Sequence, residues 1–188
     1  MNSINFTAGF IQKKQILKKE QDENYKPCYV SIVELDKTDK KDINALEKTA
    51  LNWIMQGKGL ITYNIYKNAT KKYGNDNILK EHYLAVTTQN SDYENLDYSK
   101  ILGVSLFSET DTPVNELNLL EVQPRTSSIS KNREYKKVGT ELLNYIQNTY
   151  NEKPIYVVSL DGAIDFYLKN NFKSISGQPD SHYLMYDV

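Results

Sequence analysis

The stretch from residue 115 to 172 most constrains the fold. It reads strand, loop, amphipathic helix, strand, helix. NELNLLEV (115–122) and PIYVVSL (154–160) are apolar-rich runs of strand length, the second of the buried type. Between them a helix from about Lys136 to Tyr150 puts Val138, Leu142, Leu143 and Ile146 on one face. DGAIDFYLKN (161–170) reads as a second, short helix, with Asn171 as a left-handed C-cap. A helix with one apolar stripe, set between two strands, must lie on the sheet those strands enter.

The rest of the chain adds sheet. CYVSIVEL (28–35), YLAVTT (83–88) and ILGVSLFSE (101–109) read as strands, and FKSIS and HYLMYDV as a closing pair. Ile43, Leu46, Ala50, Trp53 and Ile54 recur at helical spacing, ended by Gly57 and Gly59, and LITYNIYKNATKKY (60–73) reads as a shorter helix. The expected fold is α/β (α+β): a central mixed, mostly antiparallel sheet flanked by helices. Residues 1–27 are polar and weakly patterned. Phe10, Ile11 and Ile16 are able to anchor a short helix or strand there, and KKQILKKEQDE reads as a solvated helix face. The expected organisation is therefore an N-terminal extension over 1–27 and a single domain over 28–188.

Composition narrows the function classes. A net charge of −1 over 188 residues gives no push toward nucleic acid or anionic membrane. A nucleic-acid module built on the lysine-rich N-terminus is a reading against which that balance argues. No apolar run approaches the ~20 residues of a membrane span. The single cysteine, Cys28, permits no internal disulfide, and the expectation is a soluble cytoplasmic protein. His82 and His182 lie far apart, so no metal site is expected. Neither a P-loop nor a Gly-x-Ser-x-Gly elbow is present.

The informative place is the mouth of the helix near Gly139. Free amides and the helix dipole make such a start an anion site, and glycine lets an anion approach the backbone. The only arginines among 23 basic residues, Arg125 and Arg133, both precede it. With those neighbours, EVQP and NREYKKVGTELLNYI resemble the acyl-CoA-binding motif of the GNAT N-acetyltransferase superfamily. AIDFYLKNNF (163–172) resembles that family's second signature, Ala-x-x-Phe-Tyr-x-Lys-x-Gly-Phe. The resemblance covers roughly residues 80–188. Lys137 stands at the family's first core glycine, Glu134 where Gln or Arg is usual, and Asn171 at a glycine, and the loop from Val122 to Gly139 is longer than the common form.

The resemblance implies a GNAT-like sheet with an acyl-CoA core over 115–172 and acceptor-side helices over 38–75. It implies acetyl transfer from acetyl-CoA to a primary amine of a small molecule or peptide, with no metal, nucleic acid or membrane involved. Val122 and Gln123 would pair with the pantetheine arm and polarise the carbonyl. Amides of Tyr135, Lys136, Lys137, Val138, Gly139 and Thr140 would hold the pyrophosphate. Arg125, Arg133 or Lys131 would reach the CoA phosphates, and Tyr167 would be the general acid. Glu116 is the first candidate for general base, with Glu121, Asp180, His182 or a water chain as alternatives. Alternation along the strand expects Glu116 and Glu121 on opposite faces. The competing reading is a degenerate GNAT-fold module that binds CoA or a protein partner without catalysis.

Overall fold

The computed structural model describes residues 8–71, 77–127, 130, 132–178 and 180–188. Among these, nine strands form one sheet. They are β1 (Gly9–Lys19), β2 (Tyr25–Leu35), β3 (Ile78–Thr87), β4 (Ile101–Thr110), β5 (Asn115–Val122), β6 (Tyr135–Lys136), β7 (Ile155–Val158), β8 (Lys173–Ser174) and β9 (Tyr183–Tyr186), in the order β6-β1-β2-β3-β4-β5-β7-β9-β8. Every neighbouring pair is antiparallel except β5–β7, which the α3 crossover makes parallel. The four α-helices are α1 (Lys40–Met55), α2 (Leu60–Ala69), α3 (Val138–Thr149) and α4 (Ile164–Leu168). The expected mixed, mostly antiparallel sheet with flanking helices is thus the architecture. None of the described helices is long and apolar enough to cross a membrane.

Two apolar layers sandwich the sheet. On one face Leu142, Leu143 and Ile146 of α3 pack with Leu84, Phe107, Leu117, Ile155 and Val157. On the other, Leu46 and Trp53 of α1 and Ile65 of α2 pack with Val33, Ala85, Val104 and Leu106. Asp39 caps α1 through Lys41 N at 2.7 Å. The α1–α2 turn is tight. Gly59 has φ 97°, and a Cβ there would lie 2.6 Å from Ile54 N.

The N-terminal segment departs from the expected helix face. Gly9–Lys19 is a full-length strand that pairs with β2 and, at Leu17 and Lys18, with β6. Ile16 is fully buried in the α3-side layer. Residues 72–73 of the expected second helix lie outside the described residues; α2 itself ends at Ala69.

Candidate functional site

The parallel pair β5–β7 is short. Only Asn115–Ile155 and Glu116–Tyr156 are in register, although β5 continues to Val122 and β7 to Val158. A bulge in β5 accounts for this. Phe107 pairs with Leu117 and Leu106 with Leu119, leaving Asn118 unpaired. An extra residue bends and twists a strand, and here the two strands part above Glu116. Gln123 N donates to Leu102 O at 2.8 Å, toward β4. One residue back, the amide and carbonyl of Val122 face the other way, into the wedge. They offer one donor and one acceptor to an extended ligand.

The α3 N-terminus opens beside that wedge. Its N-cap is Lys137, at φ 71°, and no side chain caps the helix. The first helical bond runs from Glu141 N to Lys137 O at 2.9 Å. The amides of Val138, Gly139 and Thr140 meet no hydrogen-bond acceptor among the described residues, which is the condition for an anion site. Two glycines seat this turn. A Cβ on Gly139 would lie 3.2 Å from Phe166 Cζ and 3.4 Å from Val122 Cγ1, and one on Gly103 of β4 would lie 3.0 Å from Val138 Cγ1. Gly139 therefore also eases the close packing of α3 on α4 and β5, where a side chain would require Phe166 to shift by a few tenths of an ångström. Gly103 is a contributor that the sequence reading passed over, since a lone glycine in a strand only hints at close approach.

The basic loop is stitched to the β1–β2 hairpin. Lys19 N donates to Glu134 O at 2.8 Å, and the Tyr25 hydroxyl to Arg133 O at 2.6 Å. Arg133 Nε donates to Thr126 O at 2.9 Å and to Tyr135 O at 3.0 Å, so part of this guanidinium holds the loop's own backbone, and burial lowers its pKa. Lys136 Nζ sits 3.6 Å over the Tyr25 ring. The Tyr135 hydroxyl, pushed up to about 12 by burial and by Glu134, stays neutral. Arg125 and Lys137 are exposed, and neither has a carboxylate partner among the described residues. Lys58 Nζ donates to Ser127 Oγ at 2.8 Å and adds a cation beside the 124–126 turn. Lys131 lies outside the described residues.

Tyr167 of α4 is buried, edge-on to Phe166 and Phe172 at ring separations of 5.1 and 5.4 Å. Its hydroxyl makes no hydrogen bond to a described residue, and burial pushes its pKa up to about 12. It is a neutral donor without an acceptor among the described residues.

The carboxylates sort differently from the simple alternation. Because of the Asn118 bulge, Glu116 and Glu121 share the α1–α2 face rather than opposite ones. Glu121 accepts from Gly59 N (3.0 Å), Thr62 N (2.8 Å) and Thr62 Oγ1 (2.6 Å), so it closes the start of α2. Among the described residues Glu116 accepts only from Asn118 Nδ2, at 3.1 Å, and Asn118 Oδ1 in turn accepts from Ser108 Oγ at 2.7 Å. His182 directs Nδ1 at Ser159 O (2.8 Å) and Nε2 at Asp161 Oδ1 (3.0 Å), just past the end of β7. Asp180 is exposed in the neighbouring turn. Among the described residues no group of three or more His, Cys, Asp or Glu is placed to hold a metal ion.

No family model matches the chain, and no curated protein matches it. Among solved structures it is similar to the crystal structure of a protein from Klebsiella pneumoniae subsp. pneumoniae MGH 78578, provisionally named an acyl-CoA N-acyltransferase. Identity is 13%, the match covers 83% of this chain and 94% of that one, and the TM-score is 0.45. So distant a likeness leaves function to be argued from this chain's own geometry.

Proposed function

We propose that the chain is an acyl-CoA-dependent N-acyltransferase of the GNAT type, with acetyl-CoA as donor and a primary amine as acceptor. One observation carries the reading: a splayed parallel strand pair, with a free backbone donor and acceptor at Val122, opens against an uncapped helix N-terminus. A pantetheine arm is an extended amide chain, which Val122 would pair as a neighbouring strand does. A pyrophosphate is a dianion, which the amides of Val138, Gly139 and Thr140 would receive, with Arg125 and Lys137 as free cations. The residues present thus fit the co-substrate. It supplies an activated acyl thioester.

Direct transfer forms a bond from the amine nitrogen to the acyl carbon and breaks the carbon–sulfur bond. An ammonium acceptor loses two protons in all. One goes to solvent by way of Glu116 or water. The other balances the proton that Tyr167 gives the leaving thiolate, so the products are amide, free thiol and one released proton. A phenol held near 12 is protonated at any neutral pH, which suits this role.

A melt with and without acetyl-CoA tests the binding half. Saturation to 100 times Kd adds about 2.7 kcal/mol. At roughly 2–4 °C per kcal/mol, the midpoint then rises by several degrees. Lys137→Glu, which reverses the charge at the helix mouth, should cut the rise to about half. An unchanged melt at millimolar acetyl-CoA would refute the reading. The alternative, a CoA-binding module without turnover, is favoured by one observation: Glu121 is saturated by α2, so the wedge has few free bases. It predicts the melt shift without acetyl-CoA-dependent release of thiol to any amine.

A further inference from the structure

Among the described residues, no helix covers the sheet face opposite α3 beyond β5. On β7, Ile155 and Val157 point into the α3-side core, so Tyr156 and Val158 point to the other face. Val158 pairs with Tyr183, and Ile175 N donates to Tyr183 O at 3.0 Å, which sets Val158, Tyr183 and Ile175 side by side across three strands. They are 56%, 56% and 53% exposed, and Leu160, two residues beyond Val158, is 66% exposed. Tyr156 stacks on Tyr183 at 6.5 Å with planes 12° apart. Contiguous exposed side chains of this size mark a binding surface. The strip starts at the wedge: Tyr156 is the register partner of Glu116, whose Oε2 is held by the Asn118–Ser108 chain while Oε1 accepts nothing among the described residues.

We infer that, within the acyltransferase reading, the acceptor is the free N-terminus of a polypeptide whose first residues are apolar. The charge is complementary: an α-ammonium meets the Glu116 carboxylate at the strip's edge, where Oε1 accepts nothing among the described residues, while Asp161, paired with His182, lies past the end of β7. The shape favours an extended acceptor over a small amine. Sites for small molecules are concave and bury most of the ligand. Here the floor is a sheet surface two strand spacings across, ~10 Å. The apolar floor also borders the reacting position directly. An amine attached to the first residue's Cα lets that side chain rest on Val158 and Tyr183. A lysine ε-amine, at the end of four methylenes, would hold its backbone off the floor and leave the flanking side chains without contact. The transfer is the one written above: the N–C bond forms at the peptide's α-nitrogen as the C–S bond breaks.

The test measures acetyl-CoA-dependent thiol release with four acceptors: a Met-Phe-Leu-Ser peptide with a free N-terminus, a Gly-Asp-Ser-Ser peptide, an Nα-acetylated peptide with one lysine among the same apolar residues, and phenethylamine. The apolar N-terminus should exceed the others in kcat/KM by tenfold or more. Tyr183→Ala and Val158→Lys should each lower that value about tenfold, chiefly through KM, while leaving the acetyl-CoA melt shift unchanged. Equal rates for all four acceptors, preference for the lysine peptide or phenethylamine, or surface variants without effect would overturn the inference while the acyltransferase reading stands. So would a dimer in solution that Val158→Lys dissociates, since a second copy would then own the face. Absence of both melt shift and thiol release would remove the underlying reading, and this inference with it.

Discussion

The two ends of α3 are built on opposite principles. At its C-terminus Tyr150 lies against His82 and Phe107 with ring centroids 4.6 Å from each, and its hydroxyl sits 3.0 Å from His82 Nδ1. His82 is 2% exposed and meets Glu34 Oε1 through Nδ1 and Glu109 Oε1 through Nε2, both at 2.7 Å. Adjacent strands β2, β3 and β4 are thereby cross-linked, and both ring nitrogens of His82 and the Tyr150 hydroxyl have partners. At the N-terminus three amides, the Val122 backbone and the Tyr167 hydroxyl have none among the described residues. Buried polar groups are ordinarily satisfied within the protein. Of the two ends of this helix, the open one is where a ligand belongs, because among the described residues its donors are left without acceptors.

If that contrast is functional, chemistry fails at the open end and stability at the closed end. Tyr167→Phe should have the largest effect. Loss of a general acid costs about 10²–10⁴ in turnover. The acetyl-CoA melt shift should persist, and the measurement is kcat beside that shift; undiminished kcat would remove the role. His82→Ala should do the reverse. It leaves two carboxylates facing a cavity and should lower stability by about 2 kcal/mol, below the usual 3–5 for a buried pair because Glu34 and Glu109 are 35% and 40% exposed. At roughly 2–4 °C per kcal/mol the midpoint falls several degrees, while acetyl-CoA still raises it.

The closed end should also be acid-sensitive. The hydrogen bond from His82 is the main cause holding the Glu34 carboxyl below its ordinary value of 4.5. A lowered folded pKa means that the stabilisation is whole above that ordinary value and is lost as pH falls through the lowered one. Melts from pH 7 to pH 3 should therefore drop by a few degrees more in the wild type than in His82→Gln. A parallel pair of curves would show that the triad contributes nothing. Glu121→Gln sharpens the boundary between the ends. It weakens three bonds at the start of α2 and should cost about 1 kcal/mol with kcat preserved. A collapse of kcat would return Glu121 to the list of bases.

How much of this could be read beforehand follows from what each residue's signal depends on. The α3 stripe and the β5 and β7 runs were legible because periodicity is local. The mixed, mostly antiparallel sheet followed from their order. β1 was not, since lysines fall on both sides of Ile16 and only pairing with β2 and β6 makes that residue core. Glu116 and Glu121 were assigned to opposite faces because alternation presumes an unbroken strand, and the Asn118 bulge has no sequence signature. Arg133 was visible as a rare cation, yet its attachment to Thr126 and Tyr135 carbonyls depends on the path of the loop. The His82 triad joins residues from positions 34, 82 and 109, a separation that no motif reports.

Lys137 offers the smallest effect and the finest discrimination. At φ 71° and ψ 4° it holds a conformation that suits glycine, and this left-handed residue turns the chain so that the three amides of α3 face outward. A lysine there costs about 1 kcal/mol in strain, partly offset because glycine would loosen the unfolded chain. Lys137→Gly should thus raise stability by about 0.5 kcal/mol, one or two degrees. The same change removes an exposed cation beside the helix mouth, which should weaken acetyl-CoA binding about threefold. Strain retained in exchange for charge predicts that the two effects oppose each other in one variant. Calorimetry of the melt and titration with acetyl-CoA read them separately. Stabilisation with unchanged affinity would mean that the lysine's charge does not reach the ligand and that the backbone amides hold the phosphates without it.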